Sequence, residues 1–248
     1  MDIIAERKIK TVYKDGDAVV KLFVKDYSKA NVLNEALNQA RVEENTELNI
    51  PKLLEVKKFA SRWAITTEFV EGKTLDVLMK ENPEKQDEYL NAMVKIQLEV
   101  LSNNVPLLNR IKDKFKRKLT ETKIIDDNIK YELLQRLEGM KNHTKLCHGD
   151  FNPSNIIMNP NGKHYIIDWS HATQGNASAD AARTFLIFSM QKQEALANKY
   201  LEMFSKESGI DKRNIQRWIP IVAATQLTKE NPEEEKFLRS WIDIIDFE

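Results

Sequence analysis

Residues 146–170 read LCHGDFNPSNIIMNPNGKHYIIDWS. An apolar run ends at Cys147, and the loop His148-Gly149-Asp150 follows it. A short strand is expected at 155–158, a turn at Asn159-Pro160-Asn161-Gly162 and a return strand at 164–167. This pattern puts Asp150 on one loop and Asn155 and Asp168 on the two arms of a hairpin. Phosphoryl transfer asks for little covalent chemistry from a protein. It needs a carboxylate to orient the acceptor hydroxyl and oxygen ligands to hold a hard cation such as Mg²⁺. The spacing H-x-D-x-x-x-x-N followed by a strand-terminal Asp supplies those groups.

Outward from this stretch, composition narrows the class. The chain has 248 residues, long enough to bury a substantial core as one two-lobed domain or two small ones. Lys and Arg together number 38, as do Asp and Glu, so no net field draws the chain to nucleic acid or an anionic membrane. A small, locally recognised partner is expected instead. Only 7 Gly and 7 Pro occur, which argues against long disordered linkers, and neither a repeat nor a low-complexity segment is visible. The single Cys147 cannot form an internal disulfide and reads as a buried, inert thiol. The opening MDIIAERKIK has no apolar core of signal-peptide length and no window approaches a membrane span, so a cytoplasmic protein is expected.

The chain changes character near residue 71. Before it, strand patterns at 8–14, 18–24, 53–59 and 63–70 surround a helix near 30–44. After it, helical periodicity covers 83–102, 106–118, 126–141, 178–205, 212–228 and 233–245. His143, His164 and His171 lack the spacing of a zinc site.

The segment HGDFNPSNII…IIDW resembles the catalytic motif of the aminoglycoside phosphotransferase and choline kinase superfamily, small-molecule relatives of the eukaryotic-like protein kinases. The resemblance implies an α+β, protein-kinase-like two-lobed fold, with a small β-rich nucleotide-binding lobe over 1–70 and a large helical lobe over 71–248. It implies ATP and Mg²⁺ as cofactors and a small-molecule hydroxyl acceptor, such as an aminoglycoside-like compound, a sugar or an amino alcohol. Asp150 would be the catalytic base, Asn155 and Asp168 the Mg²⁺ ligands, and His148 a structural member of the catalytic loop. Lys21, in AVVKLF, would pair with Glu35 to hold the phosphates, with Lys25 taking that place if the strand register differs. The segment Thr66–Gly72 resembles the family's hinge, where the carbonyl of Glu68 and the amide of Val70 would read the nucleobase. Asp180 would brace the catalytic loop, with Arg183 as its neighbour one turn on.

One departure concerns the phosphate loop. Kinases place a Gly-rich loop between their first two strands, whereas this chain has no Gly before Gly16. The equivalent loop at 5–10 carries Arg7, Lys8 and Lys10, which either contact phosphates or are solvated charges on a strand edge. The run 112–118 (KDKFKRK) reads as a solvated helix face, with an anion patch as the alternative, and Trp218 and Trp241 read as core, with part of an aromatic pocket for a cationic acceptor as the alternative. The acidic end, residues 243–248, would favour an amine-bearing acceptor if it entered the site, and is otherwise a solvated tail. Two other functions fit the same residues. A small atypical protein kinase is disfavoured because SHATQGNASAD reaches a helix at once, without room for an activation loop. A catalytically silent nucleotide-binding scaffold fits the missing glycines but not the intact Asp150, Asn155 and Asp168.

Overall fold

The computed structural model describes residues 2–242. The acidic end therefore lies outside the described residues. Along the chain run β1 (Asp2–Arg7), β2 (Lys10–Asp15), β3 (Ala18–Phe23), α1 (Lys29–Asn45), β4 (Leu53–Phe59), β5 (Arg62–Glu68), β6 (Lys73–Thr74) and α2 (Leu75–Glu81). Next come α3 (Gln86–Leu101), α4 (Ile111–Glu121), α5 (Asp127–Gly139), β7 (Lys145–Cys147), β8 (Ile156–Met158), β9 (His164–Ile166) and β10 (Thr173–Gly175). The remainder is helical: α6 (Ala177–Met190), α7 (Glu194–Ser208), α8 (Lys212–Gln216), α9 (Ile219–Leu227) and α10 (Pro232–Ile242).

These elements form two compact units. The first combines residues 2–86 with 153–172, the second residues 87–152 with 173–242. Within the first, an antiparallel sheet has the order β1-β2-β3-β5-β4. Helix α1 starts at Ser28, whose hydroxyl accepts a hydrogen bond from the Asn31 amide. Its buried positions Val32, Glu35, Ala36, Gln39 and Val42 recur at helical spacing, so the face that carries the apolar contacts also carries Glu35 inward. Phe23, Val32, Ala36 and Ile65 make the core under that helix, and Tyr27 stacks on Phe23 at 4.9 Å between ring centroids.

The motif hairpin belongs to this first unit. β8 pairs with β9 from Ile156↔Ile166 to Met158↔His164, and β6 pairs with β8 at Lys73↔Met158 and Thr74↔Ile157. That second ladder ties the hairpin to chain beyond residue 70, which is why the compact units do not follow the lobe boundary expected there. Asn155 closes a 3₁₀ turn just before β8, and Asp168 follows β9 by two residues. Both sit at the hairpin's ends rather than within its arms.

In the second unit, α6 and α9 are buried on nearly every side, as expected of central helices that are apolar all round. Trp218, Tyr200, Phe188 and Phe204 fill the space around them, so Trp218 is core. Several expected helices are divided. The run 178–205 breaks at Lys192, which takes a φ of 60°, and 212–228 breaks at Trp218, with Pro220 opening α9 where its missing N–H costs nothing. α4 begins at Ile111, later than expected. Strand β1 was not anticipated, because it is an exposed edge strand without buried alternation. Among the described residues no helix is long and apolar enough to cross a membrane.

Gly72 fixes how the hairpin meets the strand that leads to it. Its φ is +146°, and a Cβ there would stand 2.4 Å from the Met158 carbonyl oxygen. Gly72→Ala is expected to destabilise the protein by about 1–3 kcal/mol through overpacking against a backbone atom that cannot rotate away. Thermal melting of the two proteins checks this.

Candidate active site

The first unit contains a cavity of about 650 Å³. Its wall includes Lys10, Lys21, Glu68, Val70, Asn155 and Asp168. Lys21 lies on β3, between Val12 of β2 and Ile65 of β5. From there its Nζ donates to Glu35 Oε1 at 2.9 Å and stands 3.9 Å from Asp168 Oδ1. The pairing expected between Lys21 and Glu35 is thus present, and Lys25, an exposed residue beyond β3, does not take its place. Lys10 opens β2 after the two-residue turn at Lys8 and Ile9, and its Nζ donates to Asp168 Oδ2 at 3.0 Å and lies 3.6 Å from Glu35 Oε1. Of the three cations near the first turn, the sequence does not single out Lys10, because the position of the turn decides which one faces inward.

These four charges control one another. Burial works against the Lys21 ammonium, but the charges of Asp168 and Glu35 outweigh it and hold its pKa above the ordinary lysine value. Burial also works against ionised Asp168, and the ammonium groups of Lys21 and Lys10 overcome it, holding the carboxyl far below the usual carboxylate range. Asp168 adopts the left-handed conformation, φ 65° and ψ 61°, a state that an Asp enters at some cost. Its Oδ1 is buried and has no hydrogen-bond partner among the described residues. An orphaned carboxylate oxygen suits a hard divalent cation. Asn155 lines the same cavity, and its carbonyl accepts from the Ile167 amide at 3.0 Å, which holds the two ends of the hairpin in register. Among the described residues no cluster of three or more His, Cys, Asp or Glu could hold a metal by itself, so such a cation would need phosphate oxygens as well.

At the end of β5, the Glu68 amide donates to Lys52 O at 3.0 Å and the Phe69 amide to Asp17 O at 2.8 Å. The Val70 amide, one residue further, meets no partner among the described residues.

The second unit carries the loop with Asp150. Here His148 is fully buried, edge-on to Phe151, and its Nδ1 accepts from the Asp150 amide at 3.2 Å. The Gly149 amide donates to Asp180 Oδ1 at 2.7 Å. Gln97 Nε2 donates to Asp180 Oδ2 at 2.9 Å, and Tyr200 donates its hydroxyl proton to Gln97 Oε1 at 2.6 Å. Thr184 donates to the Phe151 carbonyl at 2.8 Å. Asp180 therefore braces the loop from α6, and burial pushes its carboxyl upward. The Asp150 carboxylate accepts from Arg183 Nη2 at 3.1 Å and from Asn152 Nδ2 at 3.4 Å. Gln97 and Tyr200 carry no signal in the sequence that ties them to this loop. Cys147 is buried and burial pushes its thiol well up, as fits an inert side chain.

The phosphotransferase enzyme family matches residues 5–218. The chain belongs to that family. Among solved structures, aminoglycoside phosphotransferase APH(4)-Ia is similar over 97% of this chain and 90% of its own, with 17% identity and a TM-score of 0.72. Choline kinase LicA from Streptococcus pneumoniae is similar over 98% and 92%, with 14% identity and a TM-score of 0.65. The aminoglycoside-3'-phosphotransferase of type VIII gives 90% and 91%, 12% identity and a TM-score of 0.65. At these identities the likeness shows a shared fold, the α+β, kinase-like one that the motif implied. No curated protein matches the chain.

The Asp180 brace on the Asp150 loop can be tested. Asp180→Ala leaves the Gly149 amide without its acceptor, at about 1–3 kcal/mol for a buried donor unpaired, and leaves Gln97 Nε2 with only its longer bond to Thr184 Oγ1 at 3.3 Å. Asp180→Asn is expected to cost less, because its Oδ1 still accepts from Gly149 and Gln97 can turn its amide over. Denaturant unfolding of both variants measures the difference.

Proposed function

We propose that the chain transfers the γ-phosphoryl group of ATP, with Mg²⁺, to a hydroxyl of a small molecule. The observation that carries this reading is the charge quartet of Lys10, Lys21, Glu35 and Asp168 in one cavity, with a carboxylate oxygen of Asp168 left without a hydrogen bond. Lys21, held by Glu35, would clamp the phosphates, and Lys10 would stand where kinases use a glycine-rich backbone. Asp168 and Asn155 would hold Mg²⁺, which supplies neutralisation of the phosphate oxygens when bound. The Val70 amide, with the Glu68 carbonyl, would read the base. Asp150, steadied by Asn152 and Arg183, would orient the acceptor hydroxyl and take its proton.

A protein substrate is less well supported. α6 begins at Ala177, nine residues after Asp168, with a 3₁₀ turn and β10 in between, so no long segment is present to bind a peptide. A silent scaffold would not need Asp150 to be placed so carefully.

Calorimetry with ATP at varied Mg²⁺ tests the nucleotide half of the reading. Asp168→Ala and Asn155→Ala should each weaken the Mg²⁺ dependence of binding, and an unaltered dependence in both would move the site elsewhere. Asp150→Asn should bind nucleotide as the parent does but release ADP in the presence of an acceptor roughly two to four orders of magnitude more slowly. Parent-like turnover would remove Asp150 from the reaction.

A further inference from the structure

Lys10 is held by the sheet, not by a loose loop. It pairs with Arg7 across the turn between β1 and β2 and with Phe23 on β3, and the Val24 amide donates to the carbonyl of Ile9, the residue before it, at 3.0 Å. Val12, two residues on, stands opposite Lys21 in the ladder between β2 and β3. Lys10 and Lys21 therefore rise from one face of the sheet as diagonal neighbours, close enough for two long side chains to meet the same partners. Arg7 and Lys8, on the same turn, are exposed, whereas the Lys10 side chain is only 12% exposed.

The two ammonium groups share two carboxylates, but not equally. Lys21 Nζ donates to Glu35 Oε1 at 2.9 Å and stands 3.9 Å from Asp168 Oδ1. Lys10 reverses this, donating to Asp168 Oδ2 at 3.0 Å and standing 3.6 Å from Glu35 Oε1. Asp168 is thereby given two unlike oxygens. Oδ2 carries an ammonium, while Oδ1 is buried and has no hydrogen-bond partner among the described residues. An ammonium has three donors and no acceptor. Among the described residues Lys10 Nζ makes one hydrogen bond, so two of its donors meet no protein acceptor, on a side chain that lines the cavity of about 650 Å³.

Protein kinases use two divalent cations to join their metal-binding Asp and Asn to the phosphates and neutralise the developing charge. Here one of the two Asp168 oxygens already carries a positive charge, and the other nearby carboxylate, Glu35, is engaged by both lysines. A divalent cation on Oδ2 would lie against the Lys10 ammonium, and like charges in contact oppose binding. We infer that Lys10 replaces a second divalent cation: its ammonium joins Asp168 Oδ2 to a phosphate oxygen of the nucleotide, and the site takes one divalent cation, through Asp168 Oδ1. The inference rests on the phosphotransfer reading above and deepens it, by assigning the charge that partners the nucleotide to a side chain of β2.

The test counts cations. Mn²⁺ accepts the same oxygen ligands as Mg²⁺, and it is titrated into the full chain saturated with AMP-PNP while free Mn²⁺ is read by electron paramagnetic resonance. One Mn²⁺ per bound nucleotide is expected in the parent. In Lys10→Met and Lys10→Gln, which free Asp168 Oδ2 and leave Lys21 on Glu35, a second Mn²⁺ is expected. Binding of that second cation and of nucleotide must then be coupled, so the AMP-PNP Kd of the variants should fall by about tenfold as free Mn²⁺ rises from about 0.1 mM to about 10 mM, while that of the parent changes by less than about twofold. Thermal melting establishes that the variants are folded.

Two Mn²⁺ in the parent would overturn the proposal whatever the variants do. One Mn²⁺ in parent and variants alike would overturn it too, since Lys10 would then not be what excludes the second cation. Failure of the phosphotransfer reading is a separate result: the parent would not bind Mn·AMP-PNP, and the inference would fall with that reading.

Discussion

Two ammonium groups and two carboxylates meet in the interior of the first unit, and none of the four could be there alone. An isolated buried charge costs several kcal/mol, and such groups usually shift their pKa and neutralise instead. Lys21 and Asp168 move the other way, each driven further into its charged form by the opposite charge beside it. The arrangement demands placement from four separate elements: Lys10 from β2, Lys21 from β3, Glu35 from the buried face of α1 and Asp168 from the end of the hairpin. Sheet order, helix face and hairpin register are all tied to that one balance. Its consequence is a site whose groups are already charged and held by one another before any ligand arrives.

The second unit solves a different problem, how to keep one loop in one shape. The loop His148–Asn152 carries the carboxylate, and its backbone is held at three points: by Asp180 at Gly149, by His148 at Asp150 and by Thr184 at Phe151. Asp180 can serve as a buried acceptor only because Gln97 satisfies its other oxygen, and Gln97 in turn is oriented by Tyr200. Such a chain of hydrogen bonds polarises its members and penalises any one that is lost. The base role proposed for Asp150 would be served by this rigidity, since a base must meet its hydroxyl within a few tenths of an ångström.

Much of this was legible in the sequence, where the signal was local. Asp150, Asn155 and Asp168 stand within one motif, and their spacing along the chain survives into structure with only small adjustments, Asn155 into a 3₁₀ turn and Asp168 beyond its strand. Lys21 and Glu35 were legible because an apolar strand and an amphipathic helix each announce which side is buried. Lys10 was not, since a shift of one residue in a strand reverses the face of every side chain and nothing in IAERKIK locates the turn. Strand β1 and the short helix α2 lack the length or burial that produces a period. Gln97 and Tyr200 lie far along the chain from the residues they act with, and such pairing belongs to tertiary structure alone.

The two units differ most in how they treat charge. In the first, cations and carboxylates cancel, so the fold itself supplies each group's partner. In the second, Asp150 is met by Arg183, while the buried Asp180 carboxylate is held by neutral donors, the Gly149 amide and Gln97. Over the whole chain Lys and Arg equal Asp and Glu, so the difference is a matter of placement, not of composition. Natural folds keep a destabilising arrangement chiefly where function requires it. The buried Asp180 carboxylate is such an arrangement: burial pushes it upward, and it is kept where its oxygens hold the backbone of the loop that carries Asp150.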